Sequence, residues 1–220
     1  MSSSSECRLC GSTHCLFLCT DRLRRFHRCS HCGLITVDPK DLLSPADELA
    51  VYRHHQNGVY DPDYRRFLSR LFDPFAARLS PGSDGLDFGC GPGPALAEMF
   101  REAGHSMQVY DPYFADHPAV FELQFDFITS TEVFEHLYEP GREVNRLWSC
   151  LKPGGLLAVM TKRHNDPNTF GGWFYTHDPT HVAYYSDQTF RWLAGSLQAE
   201  LTIIDNDIIF LKKPVKLSVP

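Results

Sequence analysis

The segment Leu86-Asp87-Phe88-Gly89-Cys90-Gly91-Pro92-Gly93 constrains this chain more than any other. The run Gly85-Leu86-Asp87-Phe88 reads as a short strand. Pro94 to Ala103 reads as a helix, because Leu96, Met99, Phe100 and Ala103 recur at helical spacing. Pro94 suits its first turn and Gly104 its stop. Glycines at alternate positions between strand and helix let the backbone approach a ligand, and the helix start offers unpaired N–H groups. That is a nucleotide-binding arrangement. Asp111 sharpens it: it follows the next expected strand, Ser106 to Tyr110, and lies 20 residues after Gly91, where a carboxylate can accept ribose hydroxyls. Position 94, where a dinucleotide fingerprint carries glycine, is proline, and no lysine-bearing phosphate loop is present.

Around this loop, short apolar strands alternate with amphipathic stretches from about residue 81 to 213, the pattern of a mostly parallel α/β sheet. Phe125 to Thr129 and Leu156 to Met160 read as strands. Glu143 to Leu151 and Thr189 to Leu197 read as helices, and Lys152-Pro153-Gly154-Gly155 as a turn. Leu201 to Ile204 and Asp207 to Leu211 follow one another so closely that the last two strands should pair antiparallel. Residues 39–80 are polar and aromatic without a strand pattern, and read as a helical linker or cap. The expected division is therefore 1–38, 39–80 and 81–220. Of the 220 residues 43% are hydrophobic, enough for one α/β core with a small appendage. The net charge of −6 argues against a general polyanion-binding surface. No apolar run approaches the roughly 18 residues a membrane span needs. Met1 to Glu6 lacks the features of a secretory signal, so a cytoplasmic location is the expectation.

Six of the eight cysteines fall within the first 32 residues. Cys7-Arg8-Leu9-Cys10-Gly11 and Cys29-Ser30-His31-Cys32-Gly33 repeat one local pattern. Thiolates three residues apart can grip one tetrahedral Zn²⁺, and the following glycine permits a tight turn. Two such knuckles separated by 18 residues make a zinc ribbon with Cys7, Cys10, Cys29 and Cys32 as its ligands. Cys15 and Cys19 are then spare, and His14, His27 and His31 are not needed in the shell. The run Arg22-Leu23-Arg24-Arg25-Phe26-His27-Arg28 reads as a solvated hairpin arm balancing the negative site, with RNA contact as the alternative.

Taken together, these features resemble the class I S-adenosylmethionine (SAM)-dependent methyltransferases. Leu86 to Gly93 is similar to the family's first motif, and Asp111 to its ribose-binding acid. Phe125 to His136 resembles its fourth-strand motif, and Leu151 to Gly155 the turn before its fifth strand. The resemblance implies a Rossmann-like, doubly wound, mostly parallel sheet with an antiparallel last strand, preceded by the ribbon and linker. It implies SAM as cofactor, held by Asp87, Phe88, Gly89, Cys90, Gly91, Gly93, Asp111, Pro112, Thr131 and Glu132. The leading ribbon resembles that of some sugar methyltransferases, and zinc knuckles also precede the core in some ribosomal-RNA methyltransferases. One departure stands out: only 13 residues, 112–124, separate Asp111 from Phe125, too few for a full third strand and helix. The sheet is expected to be one strand short or to carry a degenerate third strand, with Asp116, Glu122 or backbone groups left to meet the adenine.

SAM arrives with its methyl activated, so the protein must align an acceptor, exclude water and, for many acceptors, take a proton. Two places offer candidates. Glu132, Glu135 and His136 follow the fourth strand, at the edge where such sheets bind ligands. A similar run in ubiquinone-type O-methyltransferases can hold a divalent metal; the simpler reading is that Glu132 touches the cofactor while Glu135 and His136 open a helix. The second place is the aromatic segment from Phe170 to Tyr185, where His181 or His177 suits a general base. In the linker, Tyr52 to Asn57 and Tyr64 to Phe67 can cap the cofactor pocket or simply pack on the core. A small-molecule acceptor, such as a sugar derivative or secondary metabolite, is expected at O, N or C. An RNA or ribosomal-protein substrate and a non-catalytic SAM-binding regulator stand as alternatives.

Overall fold

The computed structural model describes residues 6–21, 23–53 and 58–215. Arg22 of the basic run and His54, His55, Gln56 and Asn57 of the linker lie outside them. The N-terminal strands are β1 (Cys15–Thr20), β2 (Arg25–Cys29) and β3 (Ile35–Val37), and the linker forms helices α1 (Pro45–Tyr52) and α2 (Pro62–Ala76). Both helices start as their sequences dictate. Ser44 caps α1 by accepting from Asp47 N–H, Asp61 caps α2 by accepting from Asp63 and Tyr64 N–H, and a proline occupies the first turn of each.

The main sheet contains β4 (Asp84–Phe88), β5 (Ser106–Tyr110), β6 (Phe125–Thr131) and β7 (Leu151–Met160), with α3 (Ala95–Glu102) and α4 (Pro140–Cys150) between them. After β7 come β8 (Ala183–Tyr184), α5 (Asp187–Leu197), β9 (Glu200–Ile203) and β10 (Ile208–Lys212). The strand order is β5-β4-β6-β7-β10-β9. The first four run parallel, and β10 runs antiparallel to both β7 and β9. This is the Rossmann-like α/β arrangement expected. The short stretch after Asp111 makes no strand: it folds as an Asp111–Ala115 bridge and a 3-10 helix, Pro118–Glu122. β5 is therefore an edge, and Phe121 covers it by packing against Tyr110 at 4.6 Å. The Lys152–Gly155 turn is corrected. β7 runs through it, with a register shift that places Leu151 opposite Phe125 and Leu156 opposite Phe127.

On one face of the sheet α2 and α3 bury Leu68, Leu71, Phe75 and Phe100 against Phe127 and Phe210. On the other, Val144 and Leu147 of α4 and Phe190 and Leu193 of α5 join a core that also contains Cys7, Cys29, Cys32 and Leu34. The N-terminal sheet has the order β1-β2-β3-β8, so its fourth strand comes from a segment some 150 positions further along the chain. The knuckles repeat one geometry: Gly11 N–H donates to the Cys7 carbonyl and Gly33 N–H to the Cys29 carbonyl, both at 2.9 Å. The basic run is corrected at one position: Arg24 is buried, while Arg25 pairs with Asp41 and Arg28 donates to Gln188 at the surface.

The first knuckle sits directly on the start of α4. Gly141 N–H donates to the Arg8 carbonyl at 3.0 Å. A Cβ at Gly141 would lie 2.5 Å from the Leu9 carbonyl oxygen, a backbone atom that cannot rotate away. Gly141→Ala is therefore expected to cost about 1–3 kcal/mol, which for a chain this size lowers Tm by roughly 3–10 °C. A thermal melt checks it; an unchanged Tm would show that knuckle and helix separate freely.

Candidate active site

β4 ends in the glycine loop and β6 ends at Thr131, and between these strand ends opens a cavity of about 820 Å³. Phe88, Gly89, Cys90, Gly91 and Gly93 form one wall, and Asp111 and Pro112 continue it. Thr131, Glu132 and His136 face them, and His181 with Asp178 closes the far side. Gly89 adopts φ +78°, and a Cβ there would meet Val133 at 2.3 Å. The loop is thus held tightly against the turn that follows β6.

Asp111 organises the rim. Its Oδ2 accepts from Gly91 N–H at 3.0 Å, and its Oδ1 from the N–H groups of Tyr113 and Phe114 at 2.8 and 3.1 Å. Three of roughly four acceptor positions are used, leaving one for a ligand hydroxyl. Asp87 does not line the cavity: it is buried behind the loop, where Thr129 donates to it at 2.8 Å, and burial pushes its carboxyl up to about 6. Burial likewise pushes the Cys90 thiol up to about 12, consistent with a small, unreactive filler.

Past β6, Glu132 takes φ +52°, uncommon for a residue with a side chain. Its Oε1 is buried without a hydrogen-bond partner among the described residues, and burial beside Glu135 pushes its carboxyl up to about 8. Glu135 is fully buried, accepting from the Thr161 hydroxyl at 2.8 Å and from the Tyr175 hydroxyl. Glu135 and His136 close a 3-10 turn, Phe134–His136, and do not open a regular helix; α4 begins only at Pro140.

The two cavity histidines have defined tautomers. The Nδ1 of His181 lies 2.8 Å from the Tyr175 carbonyl, and the Nδ1 of His136 3.1 Å from the Thr180 carbonyl. A carbonyl only accepts, so each Nδ1 carries the hydrogen and each Nε2 keeps its lone pair when the ring is neutral. Burial lowers the His181 pKa, favouring the neutral ring. Asp178 Oδ2 lies 3.8 Å from His181 Nε2. His177, by contrast, is exposed at the end of a 3-10 helix, Phe174–His177, outside the cavity. Its candidacy as a base is corrected by that placement.

Tyr52, Tyr64 and Phe67 of the linker line the cavity, as the capping alternative expected, and Glu48 joins them without any signal in the sequence. Glu48 of α1 is buried and accepts from the hydroxyls of Tyr52 at 3.0 Å and Tyr113 at 2.8 Å, tying the linker to the loop after β5. Nothing in the local pattern of α1 marks Glu48 as buried. Arg142, Glu143 and Arg146 of α4 complete the lining, and Arg146 lies over the Phe121 ring at 3.7 Å. Among the described residues, two groups could hold a metal. The sulfurs of Cys7, Cys10, Cys29 and Cys32 lie within 4.8 Å of one another. Zn–S bonds of about 2.3 Å give a tetrahedron with edges of about 3.8 Å, so the four sulfurs fit one ion. Ligand-type atoms of Glu135, His136 and His181 are grouped as closely, though Glu135 is already engaged by two hydroxyls.

The methyltransferase domain family matches residues 52–203, well over half of the 220-residue chain. Over 153 residues the chain is 29% identical to a ubiquinone biosynthesis O-methyltransferase of Bradyrhizobium sp. (strain ORS 278). That stretch is 58% of this chain and 57% of the relative, so the chain spans little more than half of that protein's length. A 76-residue stretch is 36% identical to transcription initiation factor IIB of Methanopyrus kandleri, covering 34% of this chain and 20% of that one. A Galdieria sulphuraria structure provisionally named a sarcosine dimethylglycine methyltransferase superposes with a TM-score of 0.52 at 20% identity, over 72% of this chain and 74% of that one. With the glycine loop, the acid after β5 and the strand order in place, the chain belongs to the class I SAM-dependent methyltransferases.

Proposed function

We propose that this protein transfers the methyl group of SAM to an oxygen, nitrogen or carbon atom of a small-molecule acceptor. We also propose that Cys7, Cys10, Cys29 and Cys32 hold one structural Zn²⁺. The observation that carries the first reading is a single cavity lined by the glycine loop and Asp111 at one end and by His181 with Asp178 at the other. SAM, when bound, supplies a methyl group already activated by its sulfonium. Gly89, Gly91 and Gly93 let the loop backbone approach that ligand, and Asp111 offers its remaining acceptor position to a ribose hydroxyl. Phe88, Cys90, Pro112 and Thr131 form the walls. The unpartnered oxygen of Glu132 offers the ligand a hydrogen-bonding position. His181 Nε2 takes the acceptor's proton, and His136 stands beside it with ring centroids 4.8 Å apart. The burial of Arg24 and the pairing of Arg25 with Asp41 leave the N-terminal hairpin fewer free charges for a polyanion, which favours a small acceptor over RNA.

Methyl-labelled SAM incubated with the protein and a small-molecule extract tests the reading: a labelled low-molecular-weight product is expected, and label found only in RNA or protein would overturn it. Asp111→Ala is expected to weaken SAM binding about 10- to 100-fold, the value of a hydrogen bond to a charged group together with the loop tie it supports. Calorimetry checks this, and an unchanged Kd would remove Asp111 from the ribose.

A further inference from the structure

We infer that Arg24 is a positioning residue for the acceptor side of the cavity: its guanidinium, delivered by the cysteine-bearing hairpin, holds the turn that carries Tyr175, Asp178 and His181. The inference rests on the reading of His181 as the base. From Phe174 to Val182 the chain has one short 3-10 helix and no strand, yet much of it is buried. Buried carbonyls in such a turn must find donors. Some find them locally: the Tyr175 carbonyl takes the His181 ring N–H, the Asp178 carbonyl takes His181 N–H at 3.2 Å, and the Thr180 carbonyl takes the His136 ring N–H. The carbonyls of Thr176, Pro179 and His181 converge instead on Arg24. Nη1 donates to His181 at 2.9 Å and Pro179 at 3.3 Å, and Nη2 donates to Thr176.

The guanidinium is fully used. Nη2 also reaches the Tyr184 hydroxyl at 3.4 Å, and Nε lies 3.5 Å from Asp21. Only 7% of Arg24 is exposed. A planar fork with five N–H donors can gather three carbonyls from different directions; a lysine, with one nitrogen, cannot. β2, which follows Arg24, pairs with β3, and β3 pairs with β8, which begins two residues after His181. Arg24 touches neither the cavity nor any reacting atom, so it acts on the chemistry only through the backbone that aims the His181 ring.

The test compares Arg24→Met, Arg24→Lys, His181→Asn and the Arg24→Met/His181→Asn double variant. The readouts are amide exchange across residues 174–182, SAM affinity by calorimetry, and transfer from methyl-labelled SAM to the acceptor fraction of a small-molecule extract. Arg24→Met is expected to lower kcat roughly 10- to 100-fold through a misaimed base while KM for SAM stays put. Its turn amides should exchange at least about tenfold faster. Arg24→Lys should fall between the wild type and Arg24→Met, and it carries the comparison if Arg24→Met does not fold. The double variant should be no slower than His181→Asn alone, because Arg24 works through that ring. Wild-type exchange in Arg24→Met, or losses that simply add in the double variant, would overturn the inference. If His181→Asn alone transfers at the wild-type rate, the base reading has failed, and the exchange measurement then decides the clamp by itself.

Discussion

Replacing His181 with alanine is expected to lower the methyl-transfer rate about 10²- to 10⁴-fold, the range for loss of a positioned general base, with SAM affinity changed less than about threefold. The geometry gives the reason. The ring is pinned by its Nδ1–H to the Tyr175 carbonyl, which leaves Nε2 as the proton acceptor. Burial favours the neutral ring before the reaction. After it has taken a proton, Asp178 at 3.8 Å and the buried Glu135 carboxylate favour the imidazolium. The proton leaves the acceptor's O–H or N–H as the new bond to the methyl carbon forms, so no charged nucleophile has to wait in the cavity. His181→Asn is the sharper control: its side-chain amide keeps a donor for the Tyr175 carbonyl but offers no base. Both variants should bind SAM and fail in transfer. A rate within about twofold of wild type for the asparagine variant would exclude His181 from proton transfer and direct attention to His136.

The loop that would serve that reaction was legible because everything it needs is local. Three glycines, a strand before, a helix after and an acid at the end of the next strand lie within 27 residues, Gly85 to Asp111. The knuckles were legible for the same reason. On the acceptor side only His181 and His136 were legible; what holds them was not. Arg24 sits in a run that reads as a solvated arm, and its three carbonyl partners lie more than 150 residues away in sequence. β8 is two residues long and has no pattern of its own; it exists because β3 offers it an edge. Glu48 lies on a weakly amphipathic helix, and its burial is set by two tyrosine hydroxyls, one of them 65 residues distant. The Lys152–Gly155 stretch carried strong turn residues, Pro153 and Gly154, yet β7 continued through it with a bulge. Tertiary pairing overrode local chemistry at that point.

Metal removal should have the largest effect on the fold itself. Purified protein is expected to contain about one zinc per chain, and Cys32→Ser or a strong chelator should abolish the cooperative melt. Structural zinc contributes about 10–16 kcal/mol of apparent binding energy to folding, as much as the whole stability of a typical domain. In a ribbon hung loosely on a core, that loss would stay local. Here it cannot. Cys7, Cys29 and Cys32 are buried in the same apolar cluster as Val144, Leu147 and Phe190. Arg8, between the first two cysteines, donates to the carbonyls of Tyr138, Val37 and Val182, and the Arg8 carbonyl accepts from Gly141 at the start of α4. Four thiolates crowded without an ion would repel one another, so they protonate or separate; either change moves the knuckles and withdraws support from α4 and β8 together. SAM binding should therefore fall with the melt in Cys32→Ser, although Cys32 lies outside the cofactor cavity. Elemental analysis, a thermal melt and calorimetry on the same preparation check the three parts. A metal-free chain that melts cooperatively at the wild-type Tm would remove zinc from the fold, and one that also binds SAM with unchanged Kd would break the proposed link between knuckles and cavity.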